Sequence, residues 1–192
     1  MHPHQGFEIL SFVLEGEIEH YDTKNKTWSK LEAGDVQIIR SGNGISHAEK
    51  LLPNSSIFQI WFDPDLNKTL SKPATYNDYP AASFPSVKQN GFTTKIFKGE
   101  NAPIEMVTEG VTIKEVIVEK GAHHMPLLRD KVYSVFVIAG AASLDEIELN
   151  KEDFARIEQA DSVTVVAKEQ SKLFIIESPL KPSYTTYIEM NR

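Results

Sequence analysis

The sequence predicts an all-β protein, and three observations point to that class. Alternating apolar and polar residues, rich in β-branched and aromatic side chains, recur along the chain. Glycine-centred turns separate these runs, as in EGE at 15–17, AGD at 33–35 and GNG at 42–44. Helical candidates are short, for example Lys151–Arg156 with acidic residues near its start. Strands spaced about 8 to 12 residues apart are typical of a sandwich or a closed barrel.

The strand predictions follow from these runs in chain order. They are Phe7–Leu14, Glu17–Tyr21, Val36–Ile39, Ser56–Phe62, Thr93–Phe97, Val111–Val118, Tyr133–Ile138, Ser143–Ile147, Ser162–Ala167 and Leu173–Glu177. The amino-terminal HPH is followed closely by LSFVLEGEIEHYD, which reads as a strand and the start of a hairpin. We therefore expect His2 and His4 to belong to a β-strand rather than to a disordered leader.

Composition excludes several functional classes. The 192 residues carry a formal net charge of −7 without a basic cluster, which argues against direct binding to nucleic acid. No apolar run approaches the roughly 20 residues that span a bilayer, and no signal peptide is visible, so we expect no membrane association. With no cysteine the chain forms neither disulfides nor thiolate sites, which suits a cytoplasmic location.

Domain organisation is predicted from one segment that breaks the strand rhythm. Residues 63–90 contain four prolines and show no period. We expect an amino-terminal domain at 1–65, a linker at 66–90 and a carboxy-terminal domain at 91–192. The alternative is one sandwich with a single long loop. Both halves share a strand–glycine–strand layout, LSFVLEGEIEH and YSVFVIAGAASLDE, which suggests duplication.

Two pairs of side chains have the spacing of metal ligands. His2 and His4 are two residues apart, and so are His47 and Glu49. Residues two apart on a strand project to the same face, so each pair shares a face. If the strands are neighbours in a small barrel, all four side chains point into one cavity. Three imidazoles and a carboxylate suit Fe, Mn, Co, Ni, Cu or Zn.

These residues resemble the pirin family of the cupin superfamily. The similarity runs over residues 2–49, through HPHQGFEILSFVLEGEIEHYD and LEAGDVQIIRSGNGISHAE. It implies a bicupin of two jelly-roll β-barrels face to face, with one metal in the amino-terminal barrel. The pirin ligands correspond to His2, His4, His47 and Glu49. The resemblance makes Fe(II) the first expectation for the metal, with Mn, Co, Ni, Cu and Zn as alternatives.

The sequence departs from the pirin pattern in two places. Pirins carry several tens of residues before the HPH motif, so we expect an incomplete first barrel whose open edge favours a homodimer. In the second half, His123 and His124 are adjacent and point to opposite faces of a strand, and no H-x-E pair follows. We therefore expect no metal in the second barrel. Gln5 stands where the family usually has arginine.

The resemblance implies a quercetinase-type dioxygenase acting on a flavonol or another enolisable phenolic substrate. In this hypothesis Glu49 is the catalytic residue, a general base that takes the proton of the substrate hydroxyl. One alternative is a non-catalytic, metal-dependent regulator that binds a protein partner. Another is a degenerate pirin without activity.

Six further side chains have open interpretations. Glu8 occupies the acidic position of the general cupin motif and is an alternative or supporting ligand. His20 alternates with polar neighbours in EIEHYD and is expected to face solvent. Trp61, Phe7 and Phe12 belong either to the core or to the walls of the pocket, and the same holds for Phe62.

Overall fold

Eighteen strands account for almost all regular structure in a computed structural model, which describes residues 1–191. In the first half these are β1 (His2–His4), β2 (Glu8–Glu15), β3 (Glu17–Asp22), β4 (Trp28–Glu32), β5 (Val36–Arg40), β6 (Ile45–Leu51), β7 (Ser56–Phe62) and β8 (Thr75–Tyr79). The others are β9 (Ser86–Gln89), β10 (Phe92–Lys98), β11 (Thr112–Val118), β12 (Gly121–Pro126), β13 (Lys131–Ala139), β14 (Ala142–Leu144), β15 (Ile147–Leu149), β16 (Phe154–Glu158), β17 (Ser162–Ala167) and β18 (Ser171–Pro179). Two one-turn helices, α1 (Leu66–Thr69) and α2 (Tyr187–Met190), and a 3-10 turn at Ala81–Ser83 complete the described elements. The all-β prediction is confirmed.

The chain divides into two compact units. Unit 1 contains Met1–Ser83, Ile104–Glu109 and the carboxyl-terminal residues from Pro182, and unit 2 contains Phe84–Pro103 and Gly110–Lys181. The segment 66–90, expected as a linker, holds regular structure of its own. Its strand β8 pairs with β5 in unit 1, whereas its strand β9 pairs with β10 in unit 2. The change from one unit to the other therefore falls within that segment, after Ser83.

Unit 1 consists of two four-stranded antiparallel sheets. One has the order β1-β6-β3-β4 and the other β7-β2-β5-β8. Two apolar clusters lie in its interior, one built from Ile9, Ile39, Ile45 and Ala74, the other from Val13, Ile18 and Leu31. The described pairings leave two sheets rather than a closed ring of strands, so the cupin fold has the form of a sandwich here.

Unit 2 repeats the design with a larger sheet. A six-stranded sheet, β16-β13-β18-β11-β10-β9, accompanies a four-stranded one, β12-β17-β14-β15. One apolar cluster fills it, including Val116, Val135, Val165, Leu173 and Ile175. Each unit is therefore a β-sandwich of antiparallel sheets, the form of cupin fold that the resemblance implies.

Two local predictions in unit 2 are wrong. The helix expected at Lys151–Arg156 is a turn followed by β16, because antiparallel pairing with β13 overrides a weak local helix preference. The single strand expected at Ser143–Ile147 is two strands, β14 and β15. They are joined by a turn in which Asp145 adopts a positive φ of 51°.

Glu8 is a buried anchor for a distant segment. Its carboxylate accepts hydrogen bonds from the backbone N–H of Val107 at 2.7 Å and of Thr108 at 2.8 Å, and from the Thr108 hydroxyl at 2.6 Å. Glu8 is also outside the group of described side chains whose atoms could share one ion, and its suggested role as an alternative or supporting ligand stays a prediction. In the structure its carboxylate fixes the segment Ile104–Glu109 to β2.

The carboxyl-terminal segment is also fixed to unit 1. The Tyr184 hydroxyl donates to the carbonyl oxygen of Asp63 at 2.6 Å, and the Asp63 side chain accepts from the backbone N–H of Tyr187. Burial, reinforced by the charge of Asp63, raises the pKa of Tyr184 to about 12. These contacts bring the Tyr187 ring to 5.5 Å from the ring of Phe7.

Among residues 1–191, no helix has the length and apolar character needed to cross a bilayer.

We predict that Glu8→Ala lowers the free energy of unfolding of unit 1 by about 2 to 4 kcal/mol, because three donors lose a charged acceptor. Both tryptophans, Trp28 and Trp61, lie in unit 1, so urea unfolding followed by tryptophan fluorescence reports on that unit. Glu15→Ala, at the exposed end of the same strand, is the control and should change stability by less than about 0.5 kcal/mol. Equal effects of the two variants would contradict the anchoring role.

We also predict an alkaline transition assigned to Tyr184. The pKa of the Tyr184 hydroxyl is about 12 in the folded protein and about 10 in the unfolded chain. The unfolded state therefore binds fewer protons between these pH values, and the stabilisation is complete below pH 10 and lost as the pH rises towards 12. When the proteins are titrated with base, the difference in tyrosinate absorbance between wild type and Tyr184→Phe should have its midpoint near pH 12. In urea the midpoint should lie near pH 10. A midpoint near 10 in the folded protein would refute the assignment.

Candidate metal centre

The pairing of β1 with β6 assembles three histidines. His2 lies opposite His47, and His4 lies opposite Ile45. Because alternate residues of a strand share a face and directly opposed residues share it too, the three imidazoles project to the same side of the sheet. That side faces the interior of unit 1, where His47 is completely buried, His4 is buried and His2 is exposed at the edge.

The three imidazoles meet at their Nε2 atoms. Nε2 of His47 lies 3.0 Å from Nε2 of His4 and 3.1 Å from Nε2 of His2. One nitrogen from each ring falls within 4.8 Å of the others. The structure thus brings together three of the four predicted ligands at one point.

This donor set fits a divalent transition metal. A neutral imidazole nitrogen carries either one proton or one lone pair, so Nε2 of His47 can satisfy only one of its two neighbours well. One ion accepts all three lone pairs together. Two nitrogens bound to one ion at about 2.1 Å and at a right angle lie about 3.0 Å apart, close to both separations observed.

Electrostatics keep His47 and His4 neutral and ready to donate lone pairs. Burial, followed by the neighbouring His4 and His2, lowers the pKa of His47 to about 3. Burial and His2 also lower the pKa of His4, against a smaller opposite effect of Glu49. Neutral imidazole is the form that binds metals.

Glu49 points to a different set of partners. It is opposite His20 on β3, and its Oε1 atom accepts a hydrogen bond from the Ser11 hydroxyl at 2.7 Å. The Gln59 amide donates to its two oxygens at 3.2 and 3.1 Å. The carboxylate is therefore held by the opposite sheet, while the group of atoms that could share one ion contains the three histidines. Its role as a fourth ligand stays a prediction.

His20 is buried, and the expectation that it faces solvent is wrong. Its side chain is 1% exposed, and its ring centre lies 5.6 Å from that of His47. Neither ring nitrogen has a hydrogen-bond partner among the described residues, and Nδ1 is 3.8 Å from a carboxylate oxygen of Asp22. Burial is the main cause of its lowered pKa. The apolar Ile18, two residues before His20, was the available signal for an inward face.

An aromatic row leads from the surface to the cluster. The Trp61 ring meets His4 edge-on at 4.6 Å, Phe7 lies 5.9 Å from Trp61, and Tyr187 lies 5.5 Å from Phe7. Trp61 is 48% exposed and Tyr187 45%. Of the residues with open interpretations, Trp61 and Phe7 thus flank the site, whereas Phe12 is buried in the core. Sequence reasoning missed Tyr187, because nothing local connects it to residues 180 positions earlier.

A cleft of about 440 Å³ lies beside β1 and the 43–46 turn. Pro3 and Ser46 alternate with the histidines along β1 and β6, and both line this cleft. Gln5 also lines it, and so does His4, which places the cleft next to the histidine cluster.

His123 and His124 lie on β12 of unit 2. A ring nitrogen of His123 is 2.8 Å from the carbonyl oxygen of Glu119, and His124 is exposed.

Comparison with known proteins gives a consistent set of similarities. The family model described as pirin matches residues 1–62. A pirin-like protein of Caulobacter vibrioides is 28% identical over 182 residues, covering 92% of this chain and 75% of that protein.

Two solved structures are similar in fold. A quercetin 2,3-dioxygenase from Acinetobacter baumannii has a TM-score of 0.81 at 22% identity, over 94% of this chain and 67% of the other. A bacterial pirin from Escherichia coli in complex with nickel(II) has a TM-score of 0.74 at 20% identity, over 93% and 75%.

We predict that the untagged protein, stripped by a chelator, binds one equivalent of Co(II) or Ni(II) and that His47→Ala lowers the affinity at least about 100-fold. His47→Ala removes the central nitrogen of the cluster. The double variant His2→Ala/His4→Ala removes two of the three lone pairs and should also weaken binding. Plasma mass spectrometry and titration calorimetry measure this. His124→Ala, an exposed histidine in unit 2, is the control and should bind as wild type does. Wild-type binding retained in His47→Ala would exclude the cluster as the site.

Proposed function

We propose that this chain, whose residues 1–62 match the family model described as pirin, binds one divalent transition metal through His2, His4 and His47 and acts as a quercetinase-type dioxygenase. The observation that carries the proposal is the meeting of three imidazole Nε2 atoms at the inner end of a half-exposed aromatic row. The substrate class is a flavonol or another enolisable phenolic. Fe(II) remains the first expectation for the metal, and the nickel in the related E. coli pirin supports a divalent ion.

The metal, when bound, supplies a Lewis acid that polarises a substrate oxygen and lowers its pKa. The chain supplies the rest. The aromatic row offers flat apolar faces to a phenolic ring, with Trp61 and Tyr187 exposed enough to be reached. The buried histidines hold their lone pairs in one place without needing to lose a proton first.

Glu49 is the candidate general base. It lies two residues from His47 on the same face of β6, and both its oxygens already accept hydrogen bonds. Those bonds fix the carboxylate in position, and a fixed carboxylate can take the substrate hydroxyl proton without reorganisation. The hydrogen bonds to Ser11 and Gln59 favour this role over that of a fourth metal ligand.

A second candidate function is a metal-dependent regulator that binds a protein partner. The observation in its favour is the apolar surface of α2 beside the aromatic row, where Ile188 is 63% exposed and Met190 42%. Exposed apolar patches of this kind mark interaction sites.

We predict that Glu49→Gln keeps the metal but loses turnover of flavonols by about 10²- to 10⁴-fold, the range that general bases contribute. Oxygen uptake and loss of flavonol absorbance measure turnover, and metal content is determined on the same samples. Glu15→Gln is the matched control, with turnover equal to wild type. Unchanged turnover in Glu49→Gln would refute the base role. If the wild-type protein contains one metal ion per chain and still does not turn over flavonols, the dioxygenase proposal is refuted. The regulatory function and the degenerate pirin are then the remaining hypotheses.

A further inference from the structure

A chain of hydrogen bonds links the exposed end of the candidate site to its carboxylate. The indole N–H of Trp61 donates to Oε1 of Gln59 at 2.9 Å. The amide nitrogen of Gln59 donates to both oxygens of Glu49 and, at 3.0 Å, to the Ser11 hydroxyl, which itself donates to Glu49. One amide therefore contacts the aromatic row on one side and the carboxylate on the other.

A primary amide suits the chemistry of the two ends. Indole is a donor only, and a carboxylate is an acceptor only, so the linking group must accept on one side and donate on the other. Gln59 does both, which also fixes which end of its amide is oxygen. A leucine provides neither function, and a glutamate would place a second negative charge against Glu49.

The strand pairing makes this link a bridge between the sheets of unit 1. Gln59 and Trp61 are two residues apart on β7, and Ser11 on β2 lies opposite Gln59. Glu49 belongs to β6 of the other sheet. Ser11 is 2% exposed, so the end of the bridge at Ser11 and Glu49 lies in the interior, where hydrogen bonds are strong and their loss is costly. The Trp61–Gln59 bond is at the exposed end.

From this bridge we infer that Gln59 is a positioning residue of the site, which fixes the Glu49 carboxylate and sets the orientation of Trp61 against His4. The edge-on contact of Trp61 with His4, at 87° between ring planes, depends on where the indole N–H is tied. The consequence for catalysis rests on the proposed function. The bridge itself consists of residues of this chain and forms without a metal.

Loss of Gln59 has two expected effects. Trp61 loses the acceptor of its indole proton, and Glu49 keeps only Ser11 as a strong donor. A carboxylate that has lost this donor is no longer fixed, and it lies two residues from His47 on the same face of β6. The surroundings of an ion held by the histidines would then change.

The first measurement uses the metal-free protein. Nitrogen-15 spectra should show two indole N–H signals, one for each tryptophan, assigned with Trp28→Phe. We expect the Trp61 proton to exchange with solvent at least tenfold more slowly than that of Trp28, although both rings are about half exposed. Gln59→Leu should abolish this protection and leave the Trp28 signal in place, which shows that the unit is folded.

Gln37→Leu is the matched control. Gln37 flanks Ser11 on the other side, is buried, and donates to Asp78 at 2.7 Å rather than to Glu49. The substitution Gln37→Leu removes a buried amide next to Ser11 and leaves the hydrogen bonds of Gln59 unchanged. Trp61→Phe is a second variant, which keeps a half-exposed ring but removes the donor.

The second measurement uses Co(II), whose visible absorption reports the number of ligands. Gln59→Leu should change the intensity of these bands and the Co(II) affinity by about tenfold, the scale seen when a group supporting a ligand is lost. Trp61→Phe should shift both in the same direction by less, and Gln37→Leu should leave both as in wild type.

The outcomes separate this inference from the proposed function. Absence of Co(II) binding in wild type would overturn the metal site, while the indole signals still decide whether the bridge exists. An unprotected Trp61 proton in wild type, or protection that survives in Gln59→Leu, would overturn the inference. So would equal Co(II) spectra and affinities in wild type and Gln59→Leu.

Discussion

The register between β1 and β6 is the constraint on which the site depends. His2 stands opposite His47, and only in that register do the imidazoles of three residues on two strands project to the same side. Because side chains alternate with a period of two, a slip of one residue would turn His2 and His4 to the outer face, where Pro3 and Ser46 now line a cleft. The continued pairing of β6 with β3 carries this alignment further, since it places Glu49 opposite His20.

Unit 1 supports this cluster by enclosing polar side chains between two apolar clusters. Ile9 and Ile39 belong to one cluster, and Val13 and Ile18 to the other. A buried polar group costs free energy unless it is hydrogen-bonded, and the Glu49 carboxylate meets this condition through Ser11 and Gln59. His20 does not meet it, since both its ring nitrogens lack partners among the described residues. The buried polar atoms of Glu49 thus have hydrogen-bond partners, whereas those of the His20 ring do not among the described residues.

Sequence reasoning reached the fold class and proposed candidate metal ligands for local reasons. The alternation in LSFVLEGEIEHYD and the i, i+2 spacing of His2 with His4 are visible in short windows. Glu8, His20, Gln59 and Tyr187 could not be assigned in that way. The partners of Glu8 are about 100 positions away, and the orientation of Gln59 is set by donors and acceptors on three different strands. For His20, the polar residues on either side concealed that Ile18 and His20 share an inward face.

The division between local and distant residues has a functional meaning. The three histidines lie within residues 1–62, the segment that the pirin family model matches. Part of the surroundings of the site comes from elsewhere: Tyr187 joins the aromatic row from the carboxyl-terminal segment, which Asp63 holds in place through Tyr184. A common ligand set can therefore be combined with different approaches to it, which is how one fold comes to serve several functions. Under the function proposed above, the three histidines are common to the enzyme and the regulator, and the two differ in what reaches the cluster past Trp61 and Tyr187.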